Sequence, residues 1–385
     1  MDIRFNERLN RLPPYLFIEI DRRKAELRQA GVDIIDFGIG DPDTPTPDFV
    51  VGKMQESVAN PAGHRYPLGR GKPVFREAIA AWFRGRFGVE LDPAGEVLFL
   101  IGSKEGIGHL PFAFLDRDDI CLVPEPGYPV YANATILAGA TPHFMPLEAS
   151  NGYLPDLDRI PPAVLNRARI IFLNYPNNPT GAAAPDRFWK EAIALAARYN
   201  IILASDAAYS EIYYGERPKS ILEFPGGREV GIEFHSFSKT FNMTGWRVGF
   251  AVGNRQALAG LAAVKENLDS GVFEPVQAAA AAALAGPEAF TAGLRRMYRK
   301  RLETLIAGLN GYGLAARMPA GTFYLWVAIP AGRTSAEYAG HLLEKKGILT
   351  TPGNGFGPHG EGYIRFSVTI DETRILEALE RLKQG

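Results

Sequence analysis

Between residues 97 and 252 the chain alternates short runs that are apolar at nearly every position with stretches long enough to be helices. Val97–Ile101, Ile120–Val123, Ile170–Leu173 and Ile201–Ser205 are such runs, and Thr141–Met145, Glu233–His235 and Arg247–Val252 continue the series. A strand with no polar face has to be covered on both sides, which an isolated hairpin or a half-solvated sheet cannot provide. The intervening segments Glu105–Phe114, Tyr128–Ala138 and 185–199 read as helices. Repeated strand–helix units of this kind build a mainly parallel sheet with helices on both faces. The seven runs therefore predict an α/β fold on a mainly parallel seven-stranded sheet.

The flanks differ in character. Residues 13–30 read as a helix, Ile34–Phe37 as a short strand, and Gly38–Asp43 as a turn-rich loop, with helices at Pro47–Val58 and 73–87. After residue 253, helices are expected at 254–269 and 275–285, the second running on into a long charged helix at 288–310. Strands at Gly321–Ala328 and Tyr363–Thr369 then lie among helices at 335–346 and 371–383, the segregated pattern of an α+β unit. The expected organisation is a large domain over 47–285 and a smaller α+β domain from 1–46 together with 286–385. Composition narrows the function classes: with 42 basic and 43 acidic residues there is no basic field for nucleic acid and no polybasic tract for a membrane surface. The one cysteine, Cys121, sits in an apolar strand and reads as core, so a reducing, cytoplasmic setting is expected. The charged N-terminal stretch has no signal-peptide character, and the alanine-rich segment Ala278–Ala285 is too short to span a bilayer.

In open α/β sheets ligands bind at the carboxyl ends of the strands, and several chemically useful residues fall there. Gly102-Ser103-Lys104 joins a strand to a helix N-terminus, where free N–H groups and the helix dipole favour an anion; Ser103 as a plain N-cap is the competing reading. Asn174 to Gly181 contains two X-Pro bonds and presents Asn178. Asp206 ends a strand, with Tyr209 three residues on, and a carboxylate there needs a partner: a protonated ring nitrogen, a helix N-terminus or a salt bridge. Tyr128 could stack on a flat ring or simply pack. Residues 235–249 bring Ser236, Ser238, Lys239 and Arg247 together, a set suited to holding a phosphate beside a reactive amine. Arg365 alternates with Ile364 and Phe366 on a strand and could clamp a carboxylate or face solvent. Gly355 to Gly360 spells G-x-G-x-x-G, but it precedes a strand and contains Pro358, so it is not a dinucleotide fingerprint. No metal-ligand spacing occurs, and no metal is expected.

Taken in order, these motifs resemble the fold-type I aminotransferases that use pyridoxal 5′-phosphate, and the resemblance runs from about residue 13 to the C-terminus. Within that group the chain looks most like the bacterial LL-diaminopimelate aminotransferases, in the runs at 11–21, 102–114, 236–254, 267–273 and 351–368. The resemblance implies that Lys239 carries the cofactor covalently and acts as general base, with Asp206 on the pyridine nitrogen and Tyr209 and Asn178 on the phenolic oxygen. It places Tyr128 against the ring, and Ser103, Lys104, Ser236, Ser238 and Arg247 on the phosphate. Arg365 and Gly40 would take the substrate carboxylate, with Asn178, Lys104 and Tyr15 also lining the substrate site, and Tyr66 would reach the neighbouring subunit of a homodimer. The implied reaction is transfer of an amino group from LL-2,6-diaminopimelate to 2-oxoglutarate; a broad alanine- or glutamate-type aminotransferase and a cofactor-dependent lyase are the alternatives. Two departures bear on specificity. Asp269–Phe273, where aspartate enzymes place a second arginine, contains none, and 67–71 lacks the glutamate of the plant-type diaminopimelate enzymes.

Overall fold

The computed structural model describes residues 1–385 except Asp2, Pro14, Tyr15, Leu68 and Gly385, with side chains at 16–21 also outside the description. Among the described residues the strands are β1 Ile35–Asp36, β2 Val97–Leu100, β3 Ile120–Glu125, β4 Thr141–Pro146, β5 Ala168–Asn174, β6 Ile202–Asp206, β7 Gly231–Ser236, β8 Gly249–Gly253, β9 Tyr324–Ala328, β10 Ile348–Leu349, β11 Thr351–Pro352 and β12 Tyr363–Ser367. Seven of them form one sheet in the order β2-β8-β7-β6-β5-β3-β4. Every neighbouring pair in it is parallel except the two made by β8, which runs antiparallel to both β2 and β7. The expectation of a mainly parallel, doubly covered sheet is met. Its central strands are buried except at the start of β5 and β6, where Arg169 is exposed and Ile202 half-buried, and the edge strand β4 is largely exposed, with Met145 alone buried.

Two apolar clusters lie on the two faces of this sheet. One gathers Val97, Phe99, Ile171, Leu173, Phe237 and Phe250 under the helices Asp48–Val58, Pro73–Phe87, Asp186–Tyr199 and Glu274–Ala285. The other gathers Leu98, Leu100, Cys121, Phe172 and Phe234 under Ser103–Phe114 and Arg255–Leu268. Alternate residues of β2 thus enter opposite cores, the period-two alternation of a buried strand. Cys121 is fully buried, and burial pushes its thiol up to about 12, which makes it an inert packing residue.

A further core unites β1, the helix Glu288–Gly311, β9, β12 and the helix Glu372–Lys383. Here β11, β12 and β9 form an antiparallel three-stranded sheet, while β1 pairs in parallel with β10. The N-terminal loop is tied to this unit by Arg301, whose two Nη atoms donate to the Asp43 carboxylate at 2.8 Å each. One sequence expectation fails: the helix Glu274–Ala285 does not continue into Glu288–Gly311. Gly286 is extended and Pro287, which has no N–H and cannot follow a helical residue without a clash, starts the new helix. The expected strand Arg247–Val252 also begins late, at Gly249, because Arg247 has φ of 53°, outside the β region.

Candidate active site

A cavity of about 490 Å³ lies beyond the carboxyl ends of β5, β6 and β7, and Tyr324 of the core around β9 and β12 also lines it. It is lined by Gly40, Ser103, Lys104, Tyr128, Asn178, Asp206, Tyr209, Ser236, Ser238, Lys239, Arg247 and Arg365. Residues drawn from eight separate stretches of sequence thus line one cavity. Of the other expected site residues, Tyr66 is 91% exposed and does not line the cavity, and Tyr15 lies outside the described residues.

At one end the donors suit a dianion. The helix expected from Glu105 starts two residues earlier, at Ser103, so Ser103 and Lys104 occupy its first turn, where backbone N–H groups have no helical partner. Gly102 precedes it with φ of 78°, and a Cβ there would stand 2.5 Å from Nη2 of Arg247. The left-handed backbone calls for glycine, and the contact shows that the guanidinium is packed onto the turn itself. Across the cavity Ser236 ends β7 and caps the short turn Phe237–Thr240, its Oγ accepting from the Ser238 N–H at 3.2 Å. Arg247 donates from Nη1 to the Thr244 carbonyl at 2.7 Å, which fixes the side chain while its backbone sits in a left-handed conformation costly for a non-glycine residue. Two arginine and lysine charges, three hydroxyls or N–H groups and a helix N-terminus converge on one volume, the chemistry of a phosphate cradle.

At the other end stands Asp206, only 5% exposed. Its Oδ2 accepts from the Tyr131 hydroxyl at 2.7 Å and its Oδ1 from the Ala208 N–H at 3.2 Å. Burial pushes its pKa above the ordinary carboxylate value, and those two donors, with His235 nearby, pull it back. A carboxylate so held is matched to a cationic N–H. Beside it, the Tyr209 and Tyr324 hydroxyls share a hydrogen bond of 3.1 Å. Asn174 bonds the Asp206 carbonyl through Nδ2 at 2.7 Å and accepts the Asn178 N–H on Oδ1 at 2.8 Å, so β5 and β6 position Asn178 jointly.

Lys239 lies between these ends. Its Nζ donates to the Gly40 carbonyl at 2.8 Å. Burial, together with Arg365 and Arg247, lowers its pKa to about 8 against the opposing pull of Asp41. Arg365, 2% exposed, donates through Nη1 to Asn178 Oδ1 and through Nη2 to the Gly38 carbonyl, both at 2.8 Å. Its guanidinium is sandwiched between Tyr324, 4.0 Å from the ring centroid, and Phe356, 4.7 Å away. Its Nε is buried and has no acceptor among the described residues. A surface Arg365 is excluded; a fixed cation with a donor left over is what a carboxylate ligand requires.

Four residues of the site were not anticipated: Tyr131, Asn174, Tyr324 and Phe356. Tyr131 follows Tyr128 by three positions at the start of the helix Val130–Ala138, a spacing that puts both rings on one side, and so was open to inference. Tyr324 and Phe356 carry no local signal; the β9–β12 pairing and the loop after β11 bring them in.

Residues 32–382 match the family model described as aminotransferase class I and II. The chain is 52% identical over 379 residues to the LL-diaminopimelate aminotransferase of Syntrophobacter fumaroxidans, covering 98% of each chain. It is likewise 52% identical to the enzyme of that name from Aquifex aeolicus over 380 residues, again 98% of each. Among solved structures, substrate-bound BacF from Bacillus subtilis superposes with a TM-score of 0.96 at 38% identity, covering all of this chain and 98% of the other. An aspartate aminotransferase double mutant from Thermus thermophilus superposes at 0.93 with 29% identity, covering 99% of each. With the fold, the cavity chemistry and full-length relatives in agreement, the chain belongs to the class I and II aminotransferases, enzymes that work with pyridoxal 5′-phosphate.

Proposed function

We propose that this enzyme transfers an amino group from LL-2,6-diaminopimelate to 2-oxoglutarate. The reaction class rests on one observation: a half-buried lysine amine of lowered pKa shares a cavity with a buried carboxylate, a phosphate cradle and a sandwiched arginine. The donor is inferred from the relatives called LL-diaminopimelate aminotransferases, each about half identical along the whole chain. The absence of arginine in Asp269–Phe273 argues against a strict aspartate enzyme.

The residues present fit pyridoxal phosphate. Ser103, Lys104, Ser236, Ser238 and Arg247 would hold its phosphate, Asp206 its ring nitrogen, Asn178 and Tyr209 its phenolic oxygen, and Tyr128 its ring face. When bound, the cofactor supplies an electron sink for the bond being broken at the substrate Cα. Arg365 would bind the α-carboxylate through its spare Nε face, aided by the Gly40 backbone, and thereby present the Cα–H to Lys239. With its pKa lowered to about 8, the Lys239 amine is more readily available as a base than an ordinary lysine and, once protonated, serves as an acid for the return transfer. Tyr128 and Phe356 help exclude water from that exchange. We further propose a two-fold dimer in which Tyr66, exposed and outside its own cavity, reaches the partner's phosphate site. The cofactor-bearing unit is then 47–285, with 1–46 and 286–385 forming the lobe that carries Arg365.

The deciding experiment offers purified enzyme LL- and meso-diaminopimelate, alanine, aspartate and glutamate as donors to 2-oxoglutarate or pyruvate. LL-diaminopimelate with 2-oxoglutarate should give the highest kcat/KM, and Lys239→Ala should abolish turnover. A best donor of alanine or aspartate would overturn the substrate; turnover by Lys239→Ala would overturn the mechanism.

A further inference from the structure

Tyr131 is fully buried, and its hydroxyl sits in a cluster otherwise made of Leu98, Phe172, Ala204 and similar side chains. Burying a hydroxyl among such groups is unfavourable unless it finds a partner, and a phenylalanine would fill the same volume without that cost. The partner is Asp206 Oδ2 at 2.7 Å. Packing fixes the approach. The Tyr131 ring lies nearly parallel to Phe172 of β5, 14° off with centroids 4.8 Å apart, and edge-on to Tyr128 at 84° and 5.7 Å. Its own turn of helix is held by Thr135 Oγ1 donating to the Tyr131 carbonyl at 2.8 Å. Asn174, at the end of the strand that bears Phe172, pairs across the sheet with Asp206. The ring that orients the hydroxyl and the strand that bears the carboxylate are therefore parts of one rigid block.

With Oδ2 taken by Tyr131 and Oδ1 by the Ala208 N–H, the carboxylate cannot rotate about its Cβ–Cγ bond. Burial and the adjacent Asp206 hold the phenol's pKa far above its usual value, so Tyr131 stays a donor at every working pH. We propose that Tyr131 is a positioning residue: its hydroxyl orients Asp206 and supports its charge, so that this carboxylate meets the ring nitrogen of the cofactor. The inference rests on the assignment of Asp206 to that nitrogen. It makes Tyr131 part of the device that keeps the ring an electron sink, although the side chain itself touches neither cofactor nor substrate.

The test measures dissociation constants of the cofactor-free protein for pyridoxal 5′-phosphate and for 1-deazapyridoxal 5′-phosphate, in which a CH replaces the ring nitrogen. The wild-type protein should prefer the natural compound, and the ratio of the two constants reads the Asp206–nitrogen contact alone. Tyr131→Phe should shrink that ratio at least fivefold while binding the deaza compound as the wild type does. Phe172→Leu, which keeps the hydroxyl but frees the ring to tilt, should shrink it less and covers the case in which Tyr131→Phe does not fold. A ratio unchanged in Tyr131→Phe, or equal weakening toward both compounds, would reduce Tyr131 to a packing residue and overturn the proposal. Equal binding of both compounds by the wild type would instead overturn the Asp206 assignment beneath it.

Discussion

Arg365→Lys keeps a positive charge at the same place and removes only geometry, so it separates the two. In the structure the guanidinium spends Nη1 on Asn178 and Nη2 on Gly38, stacks between Tyr324 and Phe356, and keeps Nε in reserve. A lysine ammonium offers three donors from one atom and cannot face two protein acceptors and a two-oxygen ligand in one plane. A charge-assisted hydrogen bond contributes about 1.5–3 kcal/mol. Losing one of the two to the carboxylate, with part of the stacking, comes to about 2–4 kcal/mol. That is about a 30- to 1,000-fold fall in kcat/KM at 1.36 kcal/mol per factor of ten. Because both the amino acid and the 2-oxo acid present the same α-carboxylate, the loss should appear in both half-reactions, measured separately by single-turnover absorbance changes. Asn178 Oδ1 and the Gly38 carbonyl also lose their donor, so the melting temperature should fall as well. A normal kcat/KM in either half-reaction would refute the assignment of Arg365 to the shared carboxylate.

Four further outcomes follow from the same geometry. The neutral form of Lys239 is the nucleophile toward an aldehyde, so the rate at which cofactor-free protein captures pyridoxal phosphate should rise with pH through about 8 and then level off, and Arg247→Ala, by removing a neighbouring cation, should move that midpoint upward. Because the folded pKa lies below that of a free lysine, the unfolded chain binds more protons between the two values, and cofactor-free protein should gain stability in chemical denaturation as pH rises from 8 toward 10.5. Gly40→Ala would put a Cβ 1.9 Å from the Tyr324 hydroxyl, displacing the ring that stacks on Arg365 and bonds Tyr209; a destabilisation of about 1–3 kcal/mol with a raised KM is expected in denaturant melts and steady-state assays. Finally, Tyr66→Ala and Lys239→Ala proteins, each inactive, should regain roughly a quarter of wild-type activity after subunit exchange, since half the dimers are mixed and one of their two sites is intact; no recovery between demonstrably mixed subunits would place Tyr66 outside the partner's site.

Much of this site was legible because its residues sit where strands end. Asp206, Ser236 and Ser103 each directly end or follow an apolar run, and a reader who finds the runs finds the ends. What escaped depends on contacts between distant elements. Tyr324 is one of the aromatic residues of β9, and only the pairing of β9 with β12 sets it beneath Arg365. Phe356 enters from the loop whose glycines invited a false dinucleotide reading. The misplaced boundaries have local causes that short-range patterning understates: the left-handed Arg247 delays β8, and Gly286-Pro287 splits what apolar and helix-forming residues would otherwise join.

The one antiparallel strand of the sheet explains why residues 236–249 hold so much of the chemistry. β7 leaves the sheet at Ser236, turns once around Lys239, and returns at Gly249 directly opposite Ser236. Had β8 been parallel, the chain would have needed a crossover to the far edge, and Arg247 would have entered the sheet at the end remote from the cavity. Running back instead, β8 starts at the carboxyl edge, so Arg247 lies beside the serines it serves. The same reversal sets Gly249 opposite Leu100, the last residue of β2, whose following turn supplies Ser103 and Lys104. A Cβ on Gly249 would stand 2.7 Å from both the His235 carbonyl and the Ser103 nitrogen. The three segments proposed to hold the phosphate therefore meet at a residue with no side chain, and the compactness of that end of the cavity is a consequence of strand direction as much as of the donors it displays.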